Sequence, residues 1–402
     1  MDISLRELEQ AAERLKPILH HTELDLSSTF SAMTGGRVYL KCENRQKTGS
    51  FKIRGASNKI ASLIEQGKSG PVVAASAGNH AQGVAYAAAR FGVPATIVMP
   101  KTAPIAKLQA TAGYGAKVIT AGDCFDDAFS EACRICEAEG ATFLHPYNDP
   151  DVIAGQGTLG LEILSDLPYV DAIVVPAGGG GLLAGIASAV KLINPRVKVY
   201  GVQAEGCDPI ARSFREKRLI VADTASTIAD GIAVKAPGDL TVDIINRLAD
   251  DVVTVSEAEI ANAILLLIER CKQVVEPSGA TSLAAVLSGK LDVKGKRVVC
   301  VLSGGNIDVS FIQSIIERGL VARHRRIKFT AIIVDRPGSL VQLLQVIADA
   351  GGNILAVEHD KLRENLNPNE TSVHISCEVG GEEHGQALVD RLVEKGYAVD
   401  LE

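Results

Sequence analysis

Short runs of apolar and β-branched residues alternate with alanine-rich stretches along most of the chain. The runs lie at residues 37–42, 71–76, 95–100, 116–120, 171–176, 196–202 and 297–302. Strands that are apolar along their whole length and separated by helices are typical of parallel sheets covered on both faces. Ligands bind such open sheets at the carboxyl ends of the strands. The pattern therefore predicts an α/β fold with its functional site where these runs end.

The pattern changes after about residue 325. The run RIKFTAIIV is followed by a helical segment, two strand-like segments, a second helical segment and a final YAVDL. This order, βαββαβ, is the ferredoxin-like arrangement. It predicts a separate C-terminal domain at residues 323–402, after a larger domain at residues 1–322.

The composition narrows the class of function. Of the 402 residues, 47% are hydrophobic and 22% are charged, and the formal net charge is -7. A negative chain has no general attraction to nucleic acid or anionic lipid, and no stretch approaches the ~20 apolar residues of a membrane span. The eight cysteines lack disulfide-scaffold spacing, and the lone C-x-x-C at Cys133 and Cys136 has no second pair to hold zinc. We expect a cytoplasmic enzyme acting on a small molecule, with no metal, nucleic-acid or membrane partner.

One lysine stands in an unusual setting. The segment KTGSFKIRGA places Lys52 after Gly-Ser-Phe, where a helix could begin. The helix dipole destabilises a cation at that position, so Lys52 is a candidate amine nucleophile. The alternative is an ordinary solvated lysine at a helix start.

A glycine run follows the apolar segment at residues 171–176. AGGGGLLAG bares four consecutive backbone amides, Gly178 to Gly181, at the start of an alanine-rich helical stretch. Amides at a helix N-terminus favour a phosphate. The alternatives are a flexible turn or a dinucleotide loop, but the spacing matches G-x-G-x-x-G poorly. The pattern favours a phosphate monoester.

Two further polar segments follow strands. SAGNHAQG brings Asn79 and His80 to a helix start, and VLSGGN places Ser303 at another strand end. Each could be only a helix cap or a turn. Their combination with Lys52 and the glycine run indicates a site assembled from several strand ends.

Together, KTGSFKIRGA, SAGNHAQG, the tetraglycine loop and the SGGN turn resemble the threonine and serine dehydratases of the tryptophan-synthase-β fold, fold type II of the pyridoxal-phosphate enzymes. The resemblance covers residues from about 4 to 320. The tail, with DRPGSL and GGNI, resembles an ACT regulatory domain, as in ACT-bearing threonine ammonia-lyases. It implies a catalytic domain at 1–322, with a small subdomain at about 45–150 inserted in a large one, and an ACT domain at 323–402.

The resemblance also implies residue roles toward a pyridoxal 5'-phosphate cofactor. Lys52 would form the Schiff base and act as the catalytic base, with Phe51 packed against the pyridine ring. Asn79 would bind the phenolic oxygen, and Ser303 would face the pyridine nitrogen. The phosphate would be held by the amides of Gly178, Gly179, Gly180, Gly181 and Leu182. The substrate carboxylate would be held by the amides of Ser76, Ala77, Gly78, Asn79 and His80.

The implied reaction is conversion of L-threonine to 2-oxobutanoate and ammonia, and of L-serine to pyruvate. A serine racemase/dehydratase is an alternative, but it needs a second base where the family has a serine and this chain has Ala77. A threo-3-hydroxyaspartate dehydratase is another, since one methyl group is worth only ~1–3 kcal/mol of discrimination. A cysteine synthase would carry T-S-G-N-T-G in place of S-A-G-N-H-A. A non-catalytic amino-acid sensor is disfavoured because Lys52 and the phosphate loop are retained.

The tail implies regulation. Gly338, Ser339, Leu340 and Asn353 are the candidates for binding an amino-acid effector, and isoleucine feedback would suit a role in isoleucine biosynthesis. The alternative is a tail that only assembles the protein, which we expect to be a homodimer or homotetramer. A partial match to a cation site near Glu205, Cys207 and Asp208 is too weak to predict a metal.

Overall fold

A computed structural model describes residues 3–360 and 366–401 of the chain. The chain divides into two compact units, Met1–Ile307 and Asp308–Glu402. The predicted domain boundary between residues 322 and 323 lies later, at the end of the first helix of the C-terminal unit. Each unit is described by itself.

The N-terminal unit contains twelve α-helices among its described residues 3–307. They are α1 (Leu5–Leu15), α2 (Ser28–Thr34), α3 (Lys52–Glu65), α4 (Asn79–Phe91), α5 (Ile105–Gly113), α6 (Phe125–Glu139), α7 (Pro150–Asp166), α8 (Gly181–Ile193), α9 (Pro209–Glu216), α10 (Asp239–Leu248), α11 (Glu257–Leu266) and α12 (Pro277–Leu287). Its strands are β1 (Leu24–Leu26), β2 (Arg37–Lys41), β3 (Val72–Ala75), β4 (Ala95–Met99), β5 (Lys117–Thr120), β6 (Thr142–Phe143), β7 (Ala172–Pro176), β8 (Lys198–Ala204), β9 (Asp251–Val255) and β10 (Arg297–Val301). Shorter helical turns lie at Glu43–Arg45, Asp230–Ile232 and Leu267–Cys271.

These strands form two sheets. A six-stranded sheet has the order β1-β2-β10-β7-β8-β9 and is parallel except for β1, and a four-stranded sheet has the order β5-β4-β3-β6 and is parallel throughout. Each apolar run singled out in the sequence forms one of these strands, so the prediction of parallel-rich α/β sheets is confirmed. The sequence analysis missed β1 and β6, which are too short to form a run, and β9, an edge strand with polar residues among its apolar ones.

The sheets carry separate cores. Ile173, Val199 and Val299 of the six-stranded sheet belong to one buried apolar cluster. Val72 and Ile97 of the four-stranded sheet belong to another. Each sheet therefore packs against its own helices. The polar residues that follow the strands lie outside both cores, where we expect the functional site.

The C-terminal unit begins with α13 (Val309–Ala322) and continues as β11 (Arg326–Val334), α14 (Ser339–Asp349), β12 (Asn353–Asp360), β13 (Glu370–Glu378), α15 (Glu382–Glu394) and β14 (Ala398–Leu401). Its four strands form an antiparallel sheet in the order β12-β13-β11-β14. The predicted order βαββαβ is therefore confirmed for the segment that follows α13.

The described residues contain no helix that is both long and apolar enough to span a membrane. The cysteines are free thiols, and the C-x-x-C pair lies on α6, a helix as predicted.

A buried arginine links three parts of the N-terminal unit. Arg54 on α3 donates hydrogen bonds of 2.7 and 2.8 Å to the Glu43 carboxylate and of 2.7 and 3.0 Å to the Glu162 carboxylate. Glu43 begins the helical turn Glu43–Arg45, two residues after the end of β2, and Glu162 lies on α7. Burial opposes the charge of Arg54, but the two carboxylates outweigh it and hold its pKa above the usual value. The helix that begins at Lys52 is thereby fixed to the large sheet and to α7.

We expect Arg54→Met to destabilise the protein by about 3–5 kcal/mol, because it leaves the buried Glu43 carboxylate without its partner. Arg14→Met is the matched control. Arg14 on α1 pairs with Glu65, which lies on α3 like Arg54, but these two side chains are 19% and 56% exposed. An exposed pair contributes at most ~1 kcal/mol. Urea unfolding of both variants measures the difference, and equal losses would contradict the importance given to Arg54.

Candidate active site

The segment before Lys52 is held against the end of β10. Ser50 forms a β-bridge with Gly304, and the Phe51 amide donates a hydrogen bond of 3.1 Å to the carbonyl oxygen of Ser303. α3 begins at the next residue, Lys52, as the sequence predicted. Two of the motifs, KTGSF and SGGN, therefore lie side by side.

The Lys52 side chain is partly buried. Its Nζ donates to the carbonyl oxygen of Pro146 at 3.0 Å and lies 5.3 Å from the centre of the Phe51 ring. Burial lowers the pKa of Lys52 to about 8, and the negative charge of Glu276 opposes this only in part. A free amine is therefore accessible near neutral pH, which is the requirement for a nucleophile or a base.

The tetraglycine run forms the turn between β7 and α8. Gly180 has a φ of 96°, a left-handed conformation that favours glycine, and α8 begins at the next residue. A Cβ on Gly179 would overlap the Tyr147 ring, and one on Gly180 would lie 2.7 Å from the Thr241 hydroxyl. The glycines thus let the backbone of the turn pack closely against Tyr147 and Thr241 at the N-terminus of α8, where unpaired amides can bind an anion.

The glycine turn and Lys52 belong to one neighbourhood. Tyr147, which packs on Gly179 and Gly181, directly follows Pro146, whose carbonyl oxygen accepts the Lys52 hydrogen bond. Thr241 stabilises the turn from the other side by donating a hydrogen bond of 2.7 Å to the Gly179 carbonyl oxygen.

The SAGNH segment runs from the end of β3 into α4. The Ser76 amide donates to the Val98 carbonyl oxygen at 3.1 Å and the Gly78 amide to the Ser76 hydroxyl at 3.2 Å. α4 begins at Asn79, and the first amides of a helix have no partner within it. The start of α4 therefore offers donors for a carboxylate, whereas the Ser76 amide is taken up by the sheet.

The ring of His80 is turned away from this role. Its Nε2 lies 2.9 Å from the Leu144 carbonyl oxygen. Burial lowers the pKa of His80 to about 3, so the ring is neutral. Any contact of His80 with a substrate carboxylate would therefore come through its amide, as the sequence analysis expected.

Glu276 is a further residue of the site and was not among the residues predicted from the sequence. This buried carboxylate precedes α12, and its amide donates to the Gly304 carbonyl oxygen at 3.0 Å. The Asn79 Nδ2 donates to both of its oxygens, at 2.8 and 3.0 Å. Burial raises the pKa of Glu276 to about 7. The only sequence signal was Glu-Pro-Ser before an alanine-rich stretch, a common helix start.

Residues 15–304 match the model of a protein family described as pyridoxal-phosphate dependent enzyme. The chain belongs to this family. An L-threonine ammonia-lyase of Thermotoga maritima is 51% identical over 399 residues, 99% of each chain. A catabolic L-threonine dehydratase of Escherichia coli (strain K12) is 48% identical over 317 residues, 78% of this chain and 96% of the relative. The solved structure of maize serine racemase covers 80% of this chain and 99% of its own, with 38% identity and a TM-score of 0.74.

The residues present fit pyridoxal phosphate. A partly buried amine with a lowered pKa, Lys52, lies near a glycine turn at a helix N-terminus. Among the described residues, the Ser50 hydroxyl, the Asn79 Oδ1 and the Ser278 hydroxyl are buried without a hydrogen-bond partner. Buried polar atoms are normally satisfied, so these atoms indicate a polar ligand. The amine, the phosphate turn and the polar atoms are those that the cofactor's carbonyl, phosphate and ring substituents need.

The candidates for effector binding do not meet within one chain. β11 and β12 run in the same direction, and Asn353 at the start of β12 lies opposite Glu378, as does Arg326 at the start of β11. Gly338, Ser339 and Leu340 instead follow the far end of β11. A nine-residue strand spans roughly 26 Å. The four residues could contribute to one pocket only across two copies of the unit.

We expect Lys52→Ala to abolish the absorbance of the lysine-bound cofactor, because no other group at the site supplies the amine. Lys47→Ala is the matched control, since Lys47 is exposed and lies in the same segment. Spectra of both holoproteins and borohydride trapping followed by peptide mapping measure the effect. A cofactor adduct trapped on another lysine of Lys52→Ala would disprove the assignment.

Proposed function

We propose that the protein is a threonine ammonia-lyase that converts L-threonine to 2-oxobutanoate and ammonia, and L-serine to pyruvate and ammonia. The observation that carries the proposal is the partly buried Lys52 amine: its partner Pro146 adjoins Tyr147 on the glycine turn, and the Lys52 backbone packs against α4 at Gly83. Two relatives reported above are named for the same reaction on L-threonine, and one of them shares almost the whole length of this chain.

The cofactor supplies an electron sink for the pair left behind when the substrate loses its α-proton. The assigned residues do the rest. Amides at the start of α4 would hold the substrate carboxylate, and Lys52 Nζ would remove the α-proton. The Pro146 carbonyl oxygen, which accepts the Lys52 hydrogen bond, orients the amine without adding charge beside it. The substrate would thus lose its α-proton and its β-hydroxyl, together one molecule of water, and hydrolysis of the released enamine would give the 2-oxo acid and ammonia.

Ser303 is proposed to face the pyridine nitrogen from the end of β10. A neutral hydroxyl cannot hold a full proton on the ring as a carboxylate would. With Ser303 at that position, the bound cofactor would store less electron density in its ring, which would favour expulsion of the β-substituent over transamination.

The segment at about residues 45–150 is proposed to act as a small subdomain that closes over the site. It contains Lys52, the SAGNH segment and the four-stranded sheet, whereas the glycine turn and Ser303 lie outside it. Closure would exclude water while the intermediate is reactive.

The C-terminal unit is proposed to be an ACT domain, within the predicted range 323–402, that binds an amino-acid effector. The antiparallel sheet and the order βαββαβ support this. Gly338 and Asn353 lie at opposite ends of that sheet. Two copies related by a two-fold axis could place Gly338 of one copy beside Asn353 of the other. The proposal therefore includes a homodimer or homotetramer, and it retains the expectation of a cytoplasmic enzyme.

A 2-oxo acid assay over L-threonine, L-serine and threo-3-hydroxyaspartate tests the activity. We expect 2-oxobutanoate from L-threonine at the highest kcat/KM, pyruvate from L-serine, and no D-amino acid by chiral chromatography of the same mixtures. Racemisation fails because Ala77 offers no second base on the far face. A highest kcat/KM for threo-3-hydroxyaspartate, or a D-amino acid from the wild type, would contradict the proposal.

Ala77→Ser supplies the matched variant. Ala77 is only partly buried, so a hydroxyl can be added there without opening the core. We expect this change to raise racemase activity above background while the elimination of L-threonine continues.

Truncation after residue 322 tests regulation. We expect the shortened chain to keep elimination activity and to lose any shift of its L-threonine saturation curve by isoleucine, valine or another amino acid. Binding coupling is reciprocal, so L-threonine should also change the effector's affinity in the full chain. If calorimetry detects no amino acid bound to the full oligomer, the regulatory proposal fails and assembly alone remains as the role of the tail.

A further inference from the structure

The contact between Asn79 and Glu276 leaves one polar atom of Asn79 without a protein partner. Glu276 is buried and Asn79 is partly buried, and the Asn79 Nδ2 donates to the Glu276 carboxylate at 2.8 and 3.0 Å. The Asn79 Oδ1 is then buried without a partner among the described residues. In this arrangement Asn79 offers the site a hydrogen-bond acceptor and no side-chain donor.

An ionised carboxylate can only accept hydrogen bonds, so it requires the Nδ2 of Asn79. A protonated carboxyl group has an O–H donor, which can donate a hydrogen bond to the Oδ1 of Asn79. Rotation of the amide by half a turn would then direct Nδ2 into the site. The same pair of residues thus has two satisfied arrangements that differ by one proton on Glu276.

We propose that Glu276 and Asn79 form a proton-linked switch, in which protonation of Glu276 decides whether Asn79 presents Nδ2 or Oδ1 to the phenolic oxygen of the cofactor. The inference rests on the site proposed above, where Asn79 faces that oxygen. It assigns Glu276 as a positioning residue that acts through Asn79.

Both forms of Glu276 are accessible near neutral pH. Burial raises its pKa to about 7, and the Asn79 hydrogen bond works in the opposite direction. The charges that face it come from three elements: Asp230 in the Asp230–Ile232 turn raises the pKa, Lys107 on α5 lowers it, and Lys52 on α3 interacts with it electrostatically. The backbone at Asn306 also lowers it. No single partner fixes the charge.

The switch has an unusual sign. An isolated phenol ionises as the pH rises. Here, raising the pH ionises Glu276, and the carboxylate then accepts from the Nδ2 of Asn79. The Oδ1 of Asn79 is left facing the phenolic oxygen. A hydrogen-bond acceptor at that position favours the protonated phenol. Lowering the pH protonates Glu276 and directs Nδ2 to the phenolic oxygen, which favours the ionised form. The longer-wavelength band of the ionised form should therefore weaken as the pH rises.

The test is a pH titration of the absorbance of the holoprotein. We expect the longer-wavelength band of the wild type to weaken with a midpoint at a pH of about 7, the pKa of Glu276. Glu276→Gln should have a band that does not change with pH around 7, since its amide does not titrate and can pair with Asn79 in either orientation. Asp230→Asn is the matched control, because it removes an exposed carboxylate that raises the pKa of Glu276. It should keep the change and move the midpoint to lower pH.

A second readout needs no cofactor. The folded-state pKa of Glu276 lies above its ordinary value of 4.5, so the stability of the wild type relative to Glu276→Gln is greatest below that value and is lost as the pH rises to about 7. The gain in Tm of the apo variant over the wild type should therefore be larger at pH ~8 than at pH ~4.

The outcomes are distinct. A wild-type band that is constant or strengthens with pH, or a Glu276→Gln titration identical to that of the wild type, overturns the switch. If the cofactor is still trapped on Lys52 and 2-oxobutanoate still forms, the proposed function stands. Absence of any cofactor band in the wild type overturns both. Should Glu276→Gln fail to fold, an unmoved midpoint in Asp230→Asn rejects the proposal by itself.

Discussion

The guanidinium of Arg54 fixes the position of the reactive lysine. It lies two residues beyond Lys52, in the first turn of α3, and it is shared by the Glu43 and Glu162 carboxylates. Arg54 and Glu43 are both fully buried, so removing Arg54 would leave the Glu43 carboxylate without its cationic partner. Lys41 extends the cluster by pairing with Glu162 at 3.2 Å. The first turn of α3 is held rigidly, and the direction of the Lys52 side chain follows from it.

Glycines set how closely the other parts of the site approach. A Cβ on Gly83 of α4 would lie 3.1 Å from the backbone of Lys52, and a Cβ on Gly304 would overlap the Glu276 carboxylate. Any larger residue would separate α4 from α3, or the SGGN turn from α12. The glycines of these motifs are therefore packing constraints as well as ligand-binding groups, since the site exists only while strand ends from two sheets remain in contact.

Local patterns were enough to predict the parallel strands, the helix start at Lys52 and the glycine turn, because each depends on neighbours in the chain. The motif resemblance added the cofactor, and the family match confirmed it. Glu276 and Tyr147 could not be predicted, because their importance comes from contacts with Asn79 and Gly179, far away in the chain. The sequence also did not indicate that Gly338 and Asn353 lie at opposite ends of one sheet, because nearness to the end of an element does not say which end of the sheet it is.

The separation of an acid from an amine decides what the site can do. If the Glu276 carboxylate contacted Lys52 directly, the pair would hold the amine protonated and remove it from catalysis. The carboxylate is instead bound by the Asn79 amide, and the amine by the neutral carbonyl oxygen of Pro146. Burial can then lower the pKa of Lys52 and raise that of Glu276, because neither charge is satisfied by the other. The Pro146 carbonyl group and the Asn79 amide, both neutral, thus allow Lys52 and Glu276 to change protonation state within the same range of pH.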